Sequence, residues 1–154
     1  MQQALLDTLR ERGRLTEPQV AQALEQVRRG ASLVDVLVRE RWVGESELLG
    51  LLAAQSGLDR IDLRETAIEP AAVKAVPPKL AAHYEIMPLR REGHVLVLAV
   101  ADPWRLAVVE DLETSLGFKV ERVLATPSEI REALRRHYGV GAETVERILA
   151  EQAT

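Results

Sequence analysis

Apolar residues recur with helical spacing through the first fifty-seven positions. Leu5, Leu6 and Leu9 share one stripe, and Gly13 follows where a helix would end. Thr16-Glu-Pro predicts a helix start, with Thr16 as cap, Pro18 in the first turn and Gln19 at the capping-box position. Val20, Ala23, Leu24 and Val27 carry that helix to Arg29-Gly30. Ser32 predicts the cap of a third helix through Leu33, Val36 and Leu37. A fourth begins near Gly44 and runs through Leu48, Leu49, Leu51 and Leu52 to Gly57.

This stretch repeats itself at an offset of 28. Leu5 falls on Leu33, Asp7 on Asp35, Leu9 on Leu37, Leu15 on Val43, Glu17 on Glu45, Val20 on Leu48 and Leu24 on Leu52. Two helix–turn–helix copies that cannot bury their stripes alone predict a compact four-helix unit.

The spacing changes after Gly57. Leu58-Asp-Arg-Ile-Asp-Leu alternates as an extended segment, and Ile68-Glu-Pro opens a short helix that Pro77-Pro78 ends. Residues 58–78 therefore read as a structured connector. Beyond it the chain reads α/β. A short helix spans 79–84, and strands follow at 86–89 and 94–100, joined by a tight turn at Glu92-Gly93. The second strand is almost wholly apolar, as a strand covered on both faces would be. Asp102-Pro103 predicts a cap for a helix through Leu106, Val109, Leu112 and Leu116. A third strand spans 119–125, and Thr126-Pro-Ser-Glu opens a helix ending at Tyr138. Glu143 to Glu151, with Val145, Ile148 and Leu149 on one side, reads as a linker helix. The predicted class is α+β: a duplicated helix-turn-helix bundle over 1–57, the connector 58–78, an α/β subdomain over 79–139 with roughly three strands flanked by helices, and the linker 140–154.

Composition narrows the chemistry. The 154 residues are 47% hydrophobic and 29% charged, the balance of a globular chain, and no apolar run reaches the length of a membrane span. The opening MQQALLDTLRERG carries charge inside its apolar stretch, unlike a secretory signal. Cysteine is absent, which removes disulfides and thiol chemistry. Asparagine is absent too and methionine scarce, an economy in thermolabile residues that points to a thermophile.

No lysine stands in Gly-Lys-Ser/Thr, so this segment holds no P-loop, and no Gly-x-Gly-x-x-Gly occurs. His83, His94 and His137 lie apart, outside ligand spacings. Carboxylates mostly stand beside arginines at helical intervals, such as Glu11 with Arg14 and Glu132 with Arg136, and read as a solvated ion-paired surface. These absences predict a non-catalytic segment with no required cofactor and no metal. Residues 1–57 carry seven arginines against eight carboxylates, without the basic excess of a DNA reader. A stand-alone adaptor is a further reading.

Several local runs combine into a resemblance: Val76-Pro-Pro-Lys-Leu-Ala, Ile86-Met-Pro-Leu, Leu96-Val-Leu-Ala-Val-Ala-Asp-Pro103 and Ile130 through Tyr138-Gly139, all after a duplicated helical half. The chain resembles the GSPII or MshEN domain at the N-terminus of type IV pilus and type II secretion assembly ATPases. The resemblance covers residues 4 to about 139. It implies a cytoplasmic regulatory and docking domain, peripheral to the inner membrane through a platform or linker protein. It also implies a motor ATPase C-terminal to residue 154, no DNA partner and no membrane insertion.

Some members of that family bind cyclic di-GMP through two tandem motifs, Arg-Leu-Gly-x-x-Leu-x-x-x-Gly-x-Leu, continued by spaced leucines and a final Gln. Laid on this chain, the first motif runs from Ala4 to Val27 and keeps Leu5, Leu9, Gly13, Leu15 and Leu24. The second runs from Ser32 to Gln55 and keeps Leu33, Leu37, Leu52 and Gln55. Ala4 and Ser32 stand for the arginines, Leu6 and Val34 for the first glycines, Arg41 for the second glycine of the second copy, and Val27 for the first Gln. The leucine skeleton is also what helix packing requires. Arg10, Arg12 and Arg41 are the replacement cations. The resemblance thus names Leu5, Leu9, Arg10, Gly13, Leu33, Leu37 and Gln55 as ligand candidates. Trp42 and Trp104 are the candidate partner anchors, with core packing as their alternative role.

Overall fold

The computed structural model describes residues 2–139. They separate into two compact units, one up to Gly57 and one from Leu58 onward. The linker helix expected at 140–154 lies outside the described residues.

The first unit holds four helices: α1 (Gln2–Glu11), α2 (Glu17–Arg28), α3 (Leu33–Arg39) and α4 (Glu45–Ser56). The 28-residue offset governs their boundaries. It carries both ends of α2 onto those of α4, and the end of α1 onto the end of α3. It governs burial as well. Leu5 and Leu33, Leu6 and Val34, Leu9 and Leu37, Leu15 and Val43, Val20 and Leu48, and Ala23 and Leu51 are all buried. A buried leucine contributes about 1.5–3 kcal/mol, so these pairs make the core of the unit. The caps are as expected for α2, where the Thr16 hydroxyl accepts from Gln19 N–H and the Gln19 side chain accepts from Thr16 N–H. Ser32 likewise accepts from Asp35 N–H at α3. Gly44, the counterpart of Thr16, gives α4 no side-chain cap.

The second unit contains α5 (Pro70–Ala75), α6 (Pro78–Tyr84), β1 (Met87–Glu92), β2 (Val95–Val100), α7 (Leu106–Leu116), β3 (Lys119–Leu124) and α8 (Pro127–Tyr138). The sheet order is β1-β2-β3. β1 and β2 form an antiparallel hairpin, whose register shifts between Pro88 and Arg90. A proline cannot donate to a ladder, so an irregularity beside Pro88 follows. β2 and β3 run parallel, joined through α7. Leu96 to Val100 are all buried, as their apolar run predicts.

Residues 58–78, read as a connector, pack into this unit. Asp59 C=O accepts from Leu124 N–H at 2.7 Å, and Ile61 N–H donates to Leu124 C=O at 2.9 Å. Arg60 thereby makes a single parallel bridge to the end of β3. Leu63 N–H then donates to the Glu129 carboxylate on α8 at 2.8 Å.

Two local expectations are corrected. Asp102 does not cap α7, which starts four residues later with no side-chain cap. Its carboxylate instead accepts from Trp104 N–H at 2.9 Å, closing an Asx turn. Arg14 pairs with Glu47 at 2.9 Å, not with Glu11. Glu132 and Arg136 do pair, at 3.2 Å.

Candidate functional site

Of the candidate ligand residues, Leu9, Arg10 and Gly13 lie at the turn that ends α1 and Leu37 at the turn that ends α3, and the two turns are copies of one another. At the end of α1, Gly13 N–H donates to Arg10 C=O and Arg14 N–H to Leu9 C=O. At the end of α3, Arg41 N–H donates to Val38 C=O and Trp42 N–H to Leu37 C=O. Each bond maps onto its partner at the offset of 28. Gly13 is left-handed, with φ of 71°, and Arg41 takes the same conformation at 58°. Only glycine adopts this region without steric cost, so the second repeat keeps the turn at the expense of strain at Arg41.

The structure divides the remaining candidates by role. Leu5, Leu9, Leu33 and Leu37 are wholly buried and serve the core. Leu6 and Val34, at the glycine positions of the resembled motif, are also core groups. Arg10 is half-exposed and held between Asp7, at 2.6 Å, and Glu17, at 3.2 Å. These partners, Glu17 first, raise its pKa further. The Gln3 amide, and after it Arg10, hold the Asp7 carboxyl below its usual value. The Arg12 and Arg41 side chains are exposed.

Gln55, near the end of α4, is half-buried. Its amide Nε2 donates to Thr8 Oγ1 at 3.4 Å, and the Thr8 hydroxyl donates to Ala4 C=O at 2.9 Å. Its Oε1 is enclosed and accepts no hydrogen bond. Thr8 and the strained backbone of Arg41 are the site features that sequence reasoning missed. The second had a signal, because the repeat places Arg41 under Gly13.

Trp42 and Trp104 are both half-buried, one in each unit. The Trp104 indole N–H is enclosed without an acceptor. Among the described residues no group of His, Asp and Glu has the arrangement of a metal site, and no helix is long and apolar enough to cross a membrane.

Residues 56–144 match the family profile of the MshEN domain. This chain belongs to the MshEN domain family. The Type IV pilus assembly ATPase PilB of Myxococcus xanthus is 32% identical over 127 residues, covering 82% of this chain and 22% of that protein. PilB of Thermus thermophilus is 30% identical over 120 residues, covering 75% of this chain and 14% of that protein. The chain thus spans less than a quarter of these curated relatives. The solved structure described as MshE with cdg, cyclic di-GMP, is 32% identical with a TM-score of 0.68, covering 86% of this chain and 96% of that one. The N-terminal domain of XpsE, at 23% identity, shares the fold with a TM-score of 0.73, covering 87% and 93%. The chain thus matches nearly the whole of each of these solved chains but under a quarter of each PilB relative.

Proposed function

We propose that this MshEN domain is the regulatory and docking module of a pilus or secretion assembly ATPase, passing a binding event to a motor domain C-terminal to it. One observation carries the reading: the chain covers 96% of the solved MshE chain but only 14–22% of the PilB relatives. A module without a motor acts through differential binding, because a ligand shifts a two-state partner only by its unequal affinity for the two states. Its place is the cytoplasmic side of the inner membrane, held there by a platform or linker protein.

A second reading makes the first unit a receptor for cyclic di-GMP. The MshE structure with that nucleotide supports it, and so do two features of this chain. The duplicated turns at Gly13 and Arg41 offer two equivalent sites, and a cyclic dinucleotide of identical halves presents the same groups twice. The enclosed Gln55 Oε1 is an acceptor without a donor. Such a group costs about 1–3 kcal/mol, which a guanine N–H would relieve. Since Arg10 is committed to two carboxylates, the cations left for the phosphates are Arg12 and Arg41.

The test is calorimetric titration with cyclic di-GMP, followed by amide NMR and by the ATPase rate of the full-length protein. Saturable binding lost in Gln55→Ala and Arg41→Ala, with shifts confined to 4–55, supports the receptor. A rate that responds to nucleotide, and stops responding in Gln55→Ala at unchanged basal turnover, supports transmission. No heat at millimolar nucleotide removes the receptor reading and leaves the docking module.

A further inference from the structure

One polar pair of the first unit has no counterpart in the repeat. Thr8 on α1 and Gln55 on α4 are joined by the bond from Nε2 to Oγ1 at 3.4 Å. An offset of 28 carries Thr8 onto Val36 of α3, and carries Val27 of α2 onto Gln55. α1 packs on α4 and α2 on α3, so the same helix contact is made twice. One copy holds a hydroxyl and an amide, the other two valines. Val36 is wholly buried and Val27 half-buried. Helix packing at this contact therefore asks for no polar group. Replacing both members of a hydrogen-bonded pair by apolar groups of like shape is nearly neutral for stability, so stability does not account for Thr8 and Gln55.

Thr8 also fixes which end of the amide is left over. Its single proton goes to Ala4 C=O at 2.9 Å, so towards Gln55 the hydroxyl offers only lone pairs. Nε2 faces it, and Oε1 turns the other way, enclosed and without a donor. The reversed amide would set oxygen against oxygen and enclose N–H groups without an acceptor, which is worse tolerated than an unmet carbonyl. The unit thus presents an acceptor at this place and not a donor. Given the receptor reading, on which this rests, we infer that Thr8 is a specificity-determining residue: it holds the Gln55 amide so that Oε1 selects a base bringing donors, and it does so in one half of the unit only. Guanine sets N1–H and the N2 amino group side by side on one edge. Adenine sets an acceptor, N1, beside its one amino group. An oxygen without a donor favours guanine. Val27, at the matching place, has neither donor nor acceptor on its side chain. A cyclic dinucleotide therefore needs one guanine here and not two.

The experiment is calorimetric titration of the whole chain with cyclic di-GMP, cyclic GMP–AMP and cyclic di-AMP. Cyclic GMP–AMP is expected to bind within about threefold of cyclic di-GMP, and cyclic di-AMP about tenfold or more weakly. Thr8→Val keeps the shape and loses the hydroxyl, which frees the amide to turn. It should cut the preference for guanine about fivefold, and Thr8→Ser, which keeps the hydroxyl, should retain it. Thermal melts establish that both variants are folded, and a purely structural role would leave the ratio between nucleotides unmoved. The Gln55 side-chain NH₂ resonances report the amide directly; without nucleotide they should shift in Thr8→Val and stay in place in Thr8→Ser. A guanine preference unchanged in folded Thr8→Val overturns the inference while the receptor reading stands. So does cyclic GMP–AMP binding as weakly as cyclic di-AMP, because both bases would then be read. If none of the three binds the unaltered chain, the receptor reading fails and the inference with it.

Discussion

Arg41 occupies backbone that stereochemistry reserves for glycine. A non-glycine residue there costs about 1–2 kcal/mol, partly offset in comparison with glycine by the latter's larger unfolded-state entropy. Arg41→Gly should therefore stabilise the first unit by about 1 kcal/mol, and Gly13→Ala should destabilise it by a similar amount. Thermal melts of the two variants check both signs; a lower melting temperature for Arg41→Gly would mean that the guanidinium contributes more than the backbone loses. Tyr138 gives a second case. Its hydroxyl donates to the carbonyls of Val73 and Val76 at 3.0 and 3.1 Å, tying the end of α8 to α5. Burial pushes its pKa well above the ordinary 10.0. Below about pH 10 both folded and unfolded states keep the proton, and the phenol contributes in full. Above it the unfolded chain ionises first, so stability falls as pH rises. Tyr138→Phe should cost about 1–2 kcal/mol at neutral pH and flatten the alkaline decline. A residual slope should remain from Tyr84, which burial and Asp111 also raise. Denaturant melts at neutral and alkaline pH measure both effects.

The elements of the second unit are fastened by glutamates whose roles no sequence spacing announces. Glu129 accepts from Leu63 N–H and from the Thr126 hydroxyl, joining the 58–63 segment to the start of α8. Glu129→Ala orphans a half-buried N–H and should cost about 1–3 kcal/mol, with faster amide exchange at Ile61 and Leu63 as its local signature. Glu69 and Glu113 act on opposite edges of the sheet, accepting from Arg91 N–H on β1 and Val120 N–H on β3. Unpaired edge groups invite other chains. Replacing both by alanine should raise self-association, read as sedimentation mass against concentration; a variant that stays monomeric removes that role. Thr16, Ser32 and Thr126 were legible as caps because their partners lie three residues away. The alternation of 58–63 was legible as extended, but its partner at Leu124 lies some sixty residues on, and the alternation does not name it. Asp102 misled, because Asp-Pro before an apolar run marks an Asx turn as readily as a cap.

Across the molecule, the duplication explains why the helical half was so readable and its candidate site so much less so. Leu5, Leu9, Leu33 and Leu37 satisfy helix packing and the resembled motif at once, so their presence cannot separate the two demands. All four are wholly buried, as helix packing requires. The discriminating groups are Gln55 and Arg41, one with an unmet acceptor and one with strained backbone. The same internal completeness bears on the division at Gly57. The first unit closes its core with its own leucines. The second holds Leu89, Leu96, Leu98, Leu124 and Ile130 among its buried groups, and draws 58–63 into its own hydrogen bonds. A chain cut after Gly57 should thus yield two fragments that each fold, and one cut after Pro78 should not, because it strips β3 and α8 of the segment that covers them. Circular dichroism and amide exchange of 1–57 with 58–139, against 1–78 with 79–139, decide between the two boundaries. Cooperative melting of 79–139 alone would return 58–78 to the role of a connector; its failure beside a folded 58–139 places the boundary at Gly57.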